Sequence, residues 1–136
     1  YLYDELRPAL ANLLRLSPDD PQAYNLLGYA DIARTDQPQG AQDAIKSFQK
    51  SLAITTERKQ ENTGAHFGLG RAYLALGKYK EAVPELEQVA AKMPSIARIL
   101  KELASAYQGA GQTEKAVAVR KRISQLQQLV NEQRKL

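Results

Sequence analysis

The chain has 136 residues, no cysteine and a formal net charge of +4, with 43% hydrophobic and 25% charged residues. This excludes disulfides and thiolate metal sites, and it supplies enough apolar side chains to fill a core beneath a charged surface. No run of about 18 apolar residues occurs, so no segment reads as a membrane span.

The charge is unevenly spread. Residues 1–56 carry five basic and seven acidic side chains, whereas residues 57–136 carry fourteen and eight. That imbalance favours an acidic partner near the C-terminal half. The chain opens on Tyr1 rather than Met, so an upstream targeting or anchoring segment stays open, with a soluble cytoplasmic domain the favoured location.

In chain order, leucines at 6, 10, 13 and 14 recur at helical spacing over residues 1–16. Pro18 stops that helix, Asp20 suits an N-cap, and Pro21 fits the first turn of the next helix, expected over residues 21–34. The run 35–40, TDQPQG, reads as a turn-rich loop. Helix resumes near Ala41 with Ala44, Ile45, Phe48, Leu52 and Ala53 inward, and a charged connection covers 57–62. Two helices follow near 64–76 and 78–92, with Gly77 placed for a left-handed C-cap between them. Pro84 lies inside the second and removes one backbone hydrogen bond, bending it slightly. The last two helices are expected over 96–110 and 113–134, and the final one has no proline to stop it.

The stretch 63–96 repeats. Moved forward by 34 residues, Leu69 falls on Leu103, Tyr73 on Tyr107, Gly77 on Gly111 and Ala82 on Ala116. Backwards, Gly70 falls on Gly28 at 42 residues, so eight residues are inserted, four assigned to the 35–40 loop and four to 57–62. Leu6, Leu10, Leu13, Leu14 and Pro18 keep the spacing of Ala82, Leu86, Val89, Ala90 and Pro94, and Tyr3 matches Tyr79. The chain therefore opens on the second helix of a unit whose first helix is missing. Small residues at 28, 70 and 104 are expected to face Ala44, Ala82 and Ala116 across each helix pair.

The pattern LGxxY, LGKYxEA and a closing proline, carried by Leu69, Gly70, Tyr73, Gly77, Tyr79, Ala82 and Pro94, resembles the tetratricopeptide repeat. The likeness is strong in the central unit, good in the last and weaker in the first, where Asp31 stands at a usually aromatic position. It implies an all-α fold: a right-handed superhelix, or alpha-alpha solenoid, of about three helix pairs. These form a single domain over 1–136, with the second helix of a truncated repeat at 1–18 and a first repeat with insertions at 21–58. The second repeat covers 63–96, and the third, with an extended cap helix, covers 97–136.

The resemblance also implies that the first helix of each pair lines a concave groove that holds a protein or peptide segment. The groove stripe is then Gln22, Asn25, Tyr29 and Ile32; Phe67, Arg71 and Leu74; and Arg98, Lys101, Ser105 and Gln108. Tyr29 and Phe67 would meet apolar side chains, while Arg71, Arg98 and Lys101 would meet carboxylates. The relatives that clamp chaperone tails use positions matching Asn25, Tyr29, Gly68, Arg98 and Glu102, and only Arg98 keeps the charge type.

An enzyme reading finds little support. His66 is the single histidine, at a packing position, and no Cys, Asp/His or Glu/His cluster has ligand spacing. Gly68-Leu69-Gly70 lacks the third glycine of a dinucleotide loop, and Gly77-Lys78 is followed by Tyr79 rather than Ser or Thr. No cofactor is implied. Cations interleaved with glutamates argue against nucleic acid. Ala116, Val119, Ile123, Leu126 and Val130 form a short heptad seam that caps the solenoid. Its distal part offers a second reading, self-association of a monomer or weak homo-oligomer through terminal helices.

Overall fold

The computed structural model describes residues 2–135, with side chains from Asp4 onward, and among these it has seven helices and no strand. The correspondence of Tyr3 with Tyr79 lies outside the described side chains. The helices are α1 (Leu2–Leu16), α2 (Pro21–Ile32), α3 (Gln39–Glu57), α4 (Thr63–Ala75), α5 (Tyr79–Lys92), α6 (Ala97–Gly109) and α7 (Thr113–Arg134).

Local chemistry sets most of these limits. The Asp20 carboxylate accepts from the backbone N–H groups of Gln22 and Ala23, with Pro21 in the first turn of α2. Gly77 and Gly111 adopt φ of +70° and +80°, the left-handed region that only glycine enters freely. They close α4 and α6 with matching hydrogen bonds, Lys78 N–H to Tyr73 O at 2.9 Å and Gln112 N–H to Tyr107 O at 2.8 Å. Pro8 in α1 and Pro84 in α5 fall at the same place in the repeat, each inside its helix.

The insertions are distributed differently from the expectation. Helix α3 has 19 residues against 14 in α5, so much of the added length is helical rather than looped. One side chain explains the early start. Gln37 Nε2 donates to the carbonyls of Asp31, Ile32 and Arg34 at the end of α2, and its Oε1 accepts from Ala41 N–H. Both helix ends have their free backbone groups satisfied at once, and α3 propagates from there.

Packing runs between consecutive helices, and α2 also touches α4 while α4 touches α6. Helices α3, α5 and α7 make no such contact with one another. The first helices of the pairs therefore crowd together on the inner, concave side, and the second helices spread on the outer side. The result is the right-handed superhelix of helix pairs.

Two core clusters fill the pairs, one around Phe48, Ala65 and Leu69 and one around Leu86, Leu103 and Tyr107. The expected small-to-small contact needs correcting. A Cβ added to Gly28 would lie 2.6 Å from Cζ of Phe48, and one added to Gly70 would lie 2.5 Å from Cδ2 of Leu86. Each glycine receives a large side chain from its partner helix, while Ala44, Ala82 and Ala116 are fully buried nearby.

Candidate functional site

The concave side of α4 and α6 presents an aromatic ring with two guanidiniums close to it. Arg71 and Arg98 each lie 5.8 Å from the centroid of Phe67, within reach of its electron-rich face. The one carboxylate beside them is Glu102, 4.0 Å from Arg71 Nε. Among the described residues Arg98 and Lys101 have no ion pair, and both are exposed. A half-buried ring, three cations and one loosely held carboxylate leave this face short of negative charge.

Tyr29 borders the same face but is partly committed to packing. Its hydroxyl donates to Gly64 O at 2.5 Å, and its ring meets Phe48 edge-on at 5.0 Å. Burial raises the phenol above its usual range, and nearby Arg71 and Arg98 pull it partly back. Leu74 is half-buried against the second core cluster, and Gln108 accepts from Arg120 of α7 at 3.1 Å. Phe67, Arg71 and Arg98 are thus brought together, with Tyr29 at one edge, Lys101 three residues beyond Arg98 on α6 and Gln108 near the other end of that helix.

Asn25 is placed elsewhere. It is only 7% exposed, and its Nδ2 donates to Oδ1 of Asn62 at 3.0 Å. Asn62 also accepts from Ala65 N–H as the N-cap of α4 and donates to Ser51 Oγ and Thr55 Oγ1. These residues lock α2, α3 and the start of α4 together, a role that spacing along one helix could not show. His66, read as a packing residue, is held through Nδ1 2.5 Å from Glu85 Oε2 of α5. Glu102 is the site residue that sequence reading noted without using; its place one turn from Arg98 was the available signal.

A second concavity of about 220 Å³ lies where the 58–62 connection meets α5, lined by Thr55, Gln60, His66 and Gln88 over Leu52 and Val89. No group of His, Cys, Asp and Glu suited to a metal ion occurs among the described residues.

A curved stack of helix pairs defines an α-solenoid, and its inner face carries Phe67 with Arg71 and Arg98 beside it. The tetratricopeptide-repeat pattern matches residues 37–95 and again 74–135, and the chain belongs to that family. No curated protein matches the chain.

Solved structures similar to it include a MamA RS-1 double mutant, 28% identical, with TM-score 0.80 over 91% of this chain and 65% of that one. MamA 41-end from Desulfovibrio magneticus RS-1 is 27% identical, with TM-score 0.79 over 91% and 66%. A further MamA crystal structure at 24% identity shares the fold alone, with TM-score 0.78 over 96% and 72%. Against another MamA structure the chain spans 65% of its length. No helix among the described residues is long and apolar enough to cross a membrane.

Proposed function

We propose that the domain binds an extended protein segment in its concave face and performs no chemistry of its own. The observation that carries this is the Arg71, Phe67 and Arg98 arrangement, two guanidiniums each 5.8 Å from one half-buried ring, with a single carboxylate 4.0 Å from Arg71. Holding two like charges near one ring with only Glu102 beside them costs energy in the free protein. An arriving carboxylate relieves that repulsion while an apolar side chain covers the ring. The segment expected is acidic, with an apolar residue beside its charges.

Arg98 and Lys101 are exposed and unpaired, so both can reach a ligand without first breaking an internal ion pair. Arg71 must loosen its hold on Glu102, a long and half-exposed contact worth about 0–1 kcal/mol. Tyr29 supplies a rigid wall at the groove edge, fixed by Gly64 and Phe48.

The test is affinity capture with the native full-length chain, repeated with Arg71→Glu and Lys101→Glu together. Capture is expected to fall about tenfold or more with the cations reversed and to weaken as salt rises. Undiminished capture by the reversed chain would remove the groove from consideration. The exposed tip of α7, with Leu129 and Val130, favours a second use of the domain in self-association.

A further inference from the structure

Helix α7 runs for 22 residues where its equivalent α5 runs for 14, so its last two turns extend past the repeat. Ala116 and Ile123 are buried, and Val119 and Leu126 are half-buried. Further along, Leu129 is 57% exposed and Val130 52%. An open cavity of about 480 Å³ separates Leu126, Val130 and Arg134 from Ser95 and Ala97 at the start of α6. Met93 and Ile96 in the adjoining turn are each 43% exposed. One corner of the molecule thus gathers four large exposed apolar side chains, a concentration that marks a contact surface rather than scattered surface residues.

We propose that this corner pairs with the same corner of a second copy of the chain, the two α7 tips lying antiparallel. The argument is self-complementarity, which a two-fold contact requires. Leu126 and Leu129 sit three residues apart on one face, with Arg122 four residues before Leu126. Arg122 and Glu132 stand five residues either side of position 127, and the two leucines bracket nearly the same point. A two-fold axis passing there brings Leu126 onto Leu129 of the second copy and Arg122 alongside its Glu132, twice over. Neither Arg122 nor Glu132 has an ion pair within the chain among the described residues. Residues 123–131 carry no charge, so the crossing meets no like-charge conflict. The contact also continues the seam that already packs α7 on α6.

Two turns of helix per copy form a small interface, below the roughly 1,200 Å² of stable complexes, so the pairing is weak and concentration-dependent. Sedimentation equilibrium from about 5 to 500 μM tests it, a range suited to dissociation constants near 100 μM. The mean mass is expected to rise towards the dimer. Leu129→Lys, at an exposed position, should lower the association constant about tenfold or more with helix content unchanged. Arg122→Glu and Glu132→Arg should each weaken pairing, and the two together in one chain should restore it, because the swap re-forms both ion pairs. A strict monomer throughout the range overturns the proposal. So does a dimer indifferent to Leu129→Lys, or a double swap no better than either single change. Groove binding is expected to survive Leu129→Lys, so the two readings fail separately.

Discussion

Tyr107 of α6 donates its phenolic hydrogen to Glu87 of α5 across 2.6 Å, joining one helix pair to the one before it. The same repeat position makes a comparable link in the first unit. Asp31 of α2 accepts from Arg7 of α1 at 2.7 Å. Two unlike residues at equivalent positions, a tyrosine and an aspartate, thus each tie a first helix to the preceding second helix. The apolar core forms two clusters with Tyr73 packed against both, and these polar contacts fix the register between the layers.

Tyr107 is therefore expected to titrate late. Burial, reinforced by the hydrogen bond to Glu87 and by its charge, pushes the phenol up to about 12. A raised pKa means the contribution to stability is whole below the unfolded value near 10 and is lost as pH climbs through about 12. Ultraviolet titration of the seven tyrosines should show a final step that Tyr107→Phe removes. Glu87→Gln should move that step to lower pH, because the carboxylate charge no longer opposes ionisation.

Asp31 explains why an aromatic residue can be absent from the first repeat. Its carboxylate is 1% exposed and accepts from Arg7 and from Arg34, which also pairs with Asp36 and Asp43. One buried charge thus anchors α1 and the 33–38 turn simultaneously. Asp31→Ala should cost about 1.5–3 kcal/mol, the range for hydrogen bonds to charged groups. Thermal melts of Asp31→Ala, Arg7→Ala and the double variant measure it. The double variant should fall well short of the summed single effects if the pair acts as a unit.

Helix order and most boundaries were legible because prolines, glycines and one aspartate set them locally. Asp20, Gly77 and Gly111 act on neighbours within a few residues, and the 34-residue register gives the rest. What the sequence did not disclose depends on partners far along the chain. Asn25 and Asn62 are 37 positions apart, and nothing in the spacing of α2 announces that Asn25 turns inward. Phe67, Arg71 and Arg98 were visible as parts of a stripe, but the closeness of both arginines to one ring follows from how α6 lies on α4.

Gly68 illustrates the same difficulty and yields a further expectation. In the sequence it stands at a position where related clamps carry a polar ligand-binding residue. In the structure a Cβ there would sit 2.2 Å from Cζ of Phe48, whose ring also abuts Gly28. Phe48 thus occupies a slot between glycines of two successive repeats, and it is fully buried. Gly68→Ala should destabilise by about 1–3 kcal/mol through overpacking, despite the better helix propensity of alanine. A companion Phe48→Leu should recover part of that loss in a denaturant titration. An unchanged midpoint for Gly68→Ala alone would show that the ring can shift.

Asn62 is expected to be the costliest single polar side chain to remove outside the Asp31 cluster. It caps α4 through Ala65 N–H and accepts from Asn25, and its amide donates to Ser51 and Thr55. Asn62→Ala deletes a helix cap worth about 1 kcal/mol and leaves the buried Asn25 amide without its acceptor, for a total of about 2–4 kcal/mol. Asn62→Asp separates these contributions. It keeps the acceptor for Ala65 and Asn25 but presents an oxygen to the hydroxyls of Ser51 and Thr55, which must then turn to donate. Ser51 already donates to Pro21 O at 2.8 Å, so that turn breaks an existing link to α2. The aspartate variant should therefore fall between wild type and alanine in a thermal melt, with the helix start of α4 retained in amide-exchange protection.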